Sequence, residues 1–82
     1  MDANELNRII KLAFERGFHT MCMSPRSITG GFDVIMSDLS IYLDIKQDKD
    51  YIVFFTNEYN ISQGISVKIE AIDRYFDLLS FW

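Results

Sequence analysis

The stretch from Ser40 to Thr56, SIYLDIKQDKDYIVFFT, constrains the fold of this chain more than any other. From Ser40 to Lys46 the apolar residues Ile41, Leu43 and Ile45 alternate with Ser40, Tyr42, Asp44 and Lys46. That is the period of two required of a strand with one buried face. Tyr51 to Thr56 is β-branched and aromatic almost throughout, which suits a second strand. Between the two arms, Gln47, Asp48, Lys49 and Asp50 have no apolar side chain to bury, and Asp stabilises turns by bonding nearby backbone. The arms therefore form a hairpin. A two-residue turn at Asp48-Lys49 and a four-residue loop over 47–50 both set Lys46 against Tyr51, so the facing is the same for either.

In that register Asp44 faces Val53, Tyr42 faces Phe55 and Leu43 faces Phe54. One side of the hairpin carries Ile41, Leu43, Ile45, Ile52, Phe54 and Thr56, the purer apolar set, and is expected to be core. The other carries Tyr42, Asp44, Lys46, Tyr51, Val53 and Phe55, aromatic and charged groups together. Such a surface is either covered by another element or used for recognition, because contiguous exposed apolar patches on soluble proteins are usually functional.

The flanking segments supply the cover. Residues 3–16 are predicted to be a helix with Leu6, Ile9, Ile10, Ala13 and Gly17 on one face, Asp2 or Asn4 at its start and Gly17 as its stop. Phe32 to Ser37 reads as a strand with Phe32, Val34 and Met36 on one side and Asp33 and Ile35 on the other. The glycines Gly30-Gly31 before it form a turn with positive φ, not a phosphate cradle, since no Lys-Ser/Thr pair and no helix follow them. A second helix is predicted from Ser66, as N-cap, to Leu79, with Ile69, Ile72, Phe76 and Leu79 on its stripe. A strand over 64–69 competes with its first turn, because Ile65, Val67 and Ile69 alternate. An extra edge strand at 18–24 is the other open element, with Pro25 at its end.

The expected architecture is a small single-domain α+β fold over residues 1–82, α-β-β-β-α, with an antiparallel sheet covered on one face by two helices. Forty-nine per cent of the 82 residues are hydrophobic, enough for a packed core and too many for a disordered chain. The double-stranded RNA-binding domain has the same order of elements, but it presents lysines at the start of its last helix, where this chain has Ser66-Val67-Lys68-Ile69-Glu70. A net charge of −4 also repels phosphate. No family is recognised, and direct contact with nucleic acid is not expected.

Chemistry-bearing motifs are sparse. His19 and Cys22 are two ligands where a structural zinc site needs four, and no second Cys or His exists in the chain. Asp44, Asp48 and Asp50 lack the glycine and distal glutamate of a calcium loop. Paired carboxylates for acid-base work need a concave, partly dry site, which a domain with a single sheet has little room to build. Neither metal nor cofactor is expected, and the chain is read as non-enzymatic.

The single Cys excludes an internal disulfide and suits a reducing compartment. No apolar run approaches the roughly 20 residues that span a bilayer, and the amino terminus lacks the pattern of a signal peptide. A cytoplasmic location with no membrane partner is therefore expected. The chain opens at Met and has no low-complexity tract, so it is read as one complete small product.

Acidity concentrates in the sheet. Residues 28–67 carry six acids against two lysines, whereas residues 1–27 carry four basic residues against three acids. This pattern favours approach to a partner with a basic surface. The functional expectation is a small acidic protein-binding module that docks through Tyr42, Asp44, Asp48, Tyr51, Val53 and Phe55. Tyr75, Phe81 and Trp82 are secondary candidates, and a homodimer through the same face or through an edge strand is a further one. An inhibitor or adaptor that a phage or mobile element directs at a host nucleic-acid enzyme would have such a surface. So would an immunity or antitoxin-like protein that neutralises a basic toxin.

Overall fold

The computed structural model describes residues 1–26, 30–38, 40–56 and 64–79. In chain order the elements are helix α1 (Ala3–Glu15), strands β1 (His19–Pro25), β2 (Phe32–Ser37), β3 (Ile41–Lys46), β4 (Tyr51–Thr56) and β5 (Ile65–Lys68), a 3-10 turn (Ile69–Ala71) and helix α2 (Ile72–Leu79). The strands form one sheet in the order β1-β2-β3-β4-β5, and each neighbouring pair is antiparallel. The fold is α+β, as expected, and both of the open edge strands are present.

Local chemistry sets the limits of α1. The Asp2 side chain accepts a 2.7 Å hydrogen bond from the Glu5 backbone N–H, which satisfies one of the free donors of the first turn. At the far end the Gly17 N–H donates to the Phe14 carbonyl and the Phe18 N–H to the Ala13 carbonyl. This six-to-one closure needs a left-handed residue, and Gly17 supplies it at φ +94°. The turn also drives Phe18, only 2 % exposed, into the core beside Ala13.

The hairpin has the facing that its alternation implies. Tyr42 pairs with Phe55, Leu43 with Phe54, Asp44 with Val53 and Ile45 with Ile52. Its turn is a four-residue connection in which the Lys49 N–H donates to the Lys46 carbonyl at 3.0 Å. Between β2 and β3, the Asp38 carboxylate accepts from the Ser40 and Ile41 backbone N–H groups and so closes a tight link.

One core lies between the sheet and both helices. Val34, Met36, Leu43, Ile45, Ile52, Phe54 and Val67 face inward from the strands to meet Leu6, Ile9 and Ala13 of α1 and Ile72 and Phe76 of α2. Phe76 packs edge-on to Phe18 and Phe54, with ring centroids 5.8 and 5.7 Å away, and so joins the end of α1 to the central sheet.

The start of α2 differs from the sequence expectation. Ser66 is not an N-cap: it lies within β5 and pairs with Val53, and the helix proper begins at Ile72. The physical reason is the open edge of β4, whose backbone groups β5 satisfies while Val67 is buried opposite Ile52. The Ile69 N–H then donates to the Asp50 carbonyl at 2.9 Å and anchors the 3-10 turn against the hairpin tip. No helix among the described residues is long and apolar enough to cross a membrane.

Candidate functional site

Both helices pack on the same face of the sheet, and the opposite face is made from side chains that alternate with the core. Tyr42, Asp44 and Lys46 point outward from β3, and Tyr51, Val53 and Phe55 from β4. Across the ladder β2 adds Asp33 and Ile35, β5 adds Ser66 and Lys68, and β1 adds Cys22 and Ser24. None of these residues belongs to the core cluster, and none of the apolar ones packs against it. Ile35, Tyr42, Tyr51, Val53 and Phe55 are all half-buried, held by their neighbours on the face and by no described helix.

Tyr42 and Phe55 lie edge to face with ring centroids 5.4 Å apart. With Ile35 and Val53 beside them they form an apolar patch at the middle of the sheet. Charge borders it. The Lys46 ammonium donates to Asp44 at 2.8 Å, and Asp33 lies opposite Lys46 on the next strand. Arg26, at the end of β1, sits 3.3 Å from the Asp33 carboxylate, whose buried Oδ1 accepts no hydrogen bond, so that contact is electrostatic only. The same guanidinium donates to Asp48.

Of the sequence-predicted residues, Tyr42, Asp44, Tyr51, Val53 and Phe55 come together on this face. Asp48 stands off the sheet at the hairpin turn, where Arg26 holds it. Tyr75 lies on the other side of the sheet, its ring 4.5 Å from that of Phe54. Phe81 and Trp82 lie outside the described residues. Sequence reasoning did not join Ile35, Asp33, Arg26 and Lys68 to the site. The alternation of FDVIMS puts Asp33 and Ile35 on one side, but their position beside Asp44 and Lys46 depends on the register between β2 and β3, which no local pattern encodes.

His19 rests edge-on against Phe14 at the end of α1, and Cys22 is exposed with its sulfur 3.5 Å from the Ser24 hydroxyl. Among the described residues no group of three or more His, Cys, Asp and Glu side chains is placed to hold a metal ion. A hollow of about 300 Å³ at the hairpin tip is lined by Met1, Gly30, Gly31, Gln47 and Asp48. Its one carboxylate is engaged by Arg26, and the Met1 amino group donates to the Gln47 carbonyl. Arg8 of α1 pairs with Glu5 and Asp73, and Arg16 just beyond the helix pairs with Asp77.

What the sheet presents is a partly apolar face with a charged border. No family model, no curated protein and no solved structure matches this chain.

Proposed function

We propose that this protein is a non-enzymatic binding module that docks a protein partner on the helix-free face of its sheet. One observation carries the reading: an aromatic and aliphatic patch of Ile35, Tyr42, Val53 and Phe55 lies at the centre of a face that no described helix covers. Aromatic residues that are half-buried before binding lose little conformational freedom when they anchor a partner, and a charged border sets the rate and orientation of approach. Two acids and two lysines, Asp33, Asp44, Lys46 and Lys68, balance on the face itself. The molecule as a whole carries −4, so long-range attraction favours a basic partner while the patch supplies the contact. A chain of this size, occupying the working surface of a larger protein, would act as an inhibitor or adaptor. A host nucleic-acid enzyme targeted by a phage or mobile element is the partner class we favour.

Affinity capture from the native host with parent, Tyr42→Ala and Phe55→Ala proteins tests the proposal. The partner retained by the parent is expected to bind each variant more weakly by about 1 to 3 kcal/mol. Asp44→Asn is expected to slow association at low salt and leave the fold intact. Stability of each variant is measured alongside, because Tyr42 and Phe55 also support one another. Variants that fold normally and hold the same partner as tightly as the parent would place the binding surface elsewhere. A captured toxin in place of a nucleic-acid enzyme would favour the immunity role.

A further inference from the structure

We propose that β1 is a homotypic interface, along which two copies of this chain pair antiparallel about a two-fold axis through Cys22 and merge their sheets into one. Among the described residues β1 is an edge strand with β2 as its one sheet neighbour, so a row of its backbone N–H and C=O groups faces away from the sheet. All seven of its residues are exposed, with Met21 at 64 % and Met23 at 48 %. The other edge, β5, has four residues and ends in a lysine.

Charge selects a second copy as the occupant. The chain carries twelve acids, yet none falls between Arg16 and Phe32. The two arginines that flank β1 are engaged within the molecule, Arg16 by Asp77 and Arg26 by Asp33 and Asp48. With a net charge of −4, self-association is opposed wherever a contact brings acids of the two copies together. Along β1 neither acid nor free cation is brought together.

The register follows from the strand itself. An axis at Cys22, the midpoint of His19–Pro25, sets Cys22 against Cys22 of the second copy, with Met23 and Ser24 of each chain alongside the bulged Thr20-Met21 segment of the other. Pro25, which has no N–H to donate, falls at the two ends of the ladder, where a missing bond matters least. An irregularity between Thr20 and Cys22 places Cys22 opposite Ile35, on the helix-free face. The two thiols therefore stand side by side on that face, at the roughly 4.5 to 5.5 Å Cα separation of directly opposed residues, which a disulfide can span. Pairing consumes both long edges, so the assembly closes at two, and it makes the two docking faces continuous.

Sedimentation equilibrium of the full chain under reducing conditions, up to about 1 mM, is expected to show the mass rising from 9.6 kDa toward twice that value. Diamide, which takes two electrons and two protons from a pair of thiols, is expected to trap the dimer as a Cys22 disulfide. Cys22→Ser should keep the dimer and lose the disulfide. Met21→Lys and, separately, Ser24→Lys place a charge at exposed positions and should leave a monomer that circular dichroism shows to be folded. A monomer at every concentration overturns the proposal. So does a dimer that survives both lysine substitutions, which would point to the sheet face, and so does a dimer that diamide fails to cross-link at Cys22.

Discussion

Leu43 and Phe54 oppose each other across β3 and β4 with 0 % and 3 % of their surface exposed, and their pairing was legible because alternation leaves a strand only two ways to face. Replacing either by Ala is expected to cost about 2 to 5 kcal/mol in chemical denaturation, a large share of the stability of so small a domain. An unchanged midpoint would contradict the core described above. Gly31 was legible only in part. Its positive φ, +80°, follows from the turn, but its side-chain neighbour does not: an added Cβ would lie 2.6 Å from the Gln47 Oε1 that accepts a hydrogen bond from the Phe32 N–H. Gly31→Ala is therefore expected to destabilise by about 1 kcal/mol or more, by backbone strain and by displacing Gln47. Gly30→Ala, with φ +75° and open space around it, should show the strain alone and cost less.

Among the elements, α1 and the central hairpin carry complete local signals, a cap and a stop for one and strict alternation for the other. The segment from Ile65 to Ala71 does not, because ISVKIEA satisfies a strand pattern and a helix stripe at once. Its neighbour decides the matter. An N-capping serine replaced by Ala costs roughly 0.5 to 2 kcal/mol, whereas an exposed serine on a strand stays within about 0.5 kcal/mol. Ser66→Ala is expected to fall in the second class. Val67→Ala, which removes side-chain volume facing Ile52, should cost about 1 to 2 kcal/mol. Thermal or denaturant melts of the pair separate a strand from a helical first turn, since the helical reading makes Ser66 the sensitive position.

At the scale of the whole molecule, the two helices share one side of the sheet and exchange charge across their contact. Arg8 reaches Asp73 at 3.1 Å and Arg16 reaches Asp77 at 2.7 Å, while the Arg16 guanidinium also lies over the Phe76 ring. The hydrogen bonds that Arg8 donates to Glu5 and then to Asp73 raise its pKa. A raised cationic pKa stabilises the fold below the ordinary arginine range and is lost only above it, so this pair brings no pH dependence near neutrality. The acids are two-thirds exposed, and solvent screening keeps such pairs weak. Asp73→Asn and Asp77→Asn are each expected to cost no more than about 1 kcal/mol in denaturant melts. A larger loss would mean that the ion pairs, and not the shared apolar core, hold the helices in place.

The sequence by itself determined the hairpin, its facing, the first helix and the α+β class, because each rests on contacts between residues close in the chain. It also assembled five of the six first-choice site residues, since Tyr42, Asp44, Tyr51, Val53 and Phe55 alternate within two adjoining strands. Tertiary structure alone decided which face the helices leave open, that β5 completes the sheet ahead of α2, and that Asp33, Ile35, Arg26 and Lys68 join the patch. Those outcomes depend on pairing between distant segments, where the competition for unpaired backbone groups and buried area is settled over the whole molecule and leaves no local pattern to read.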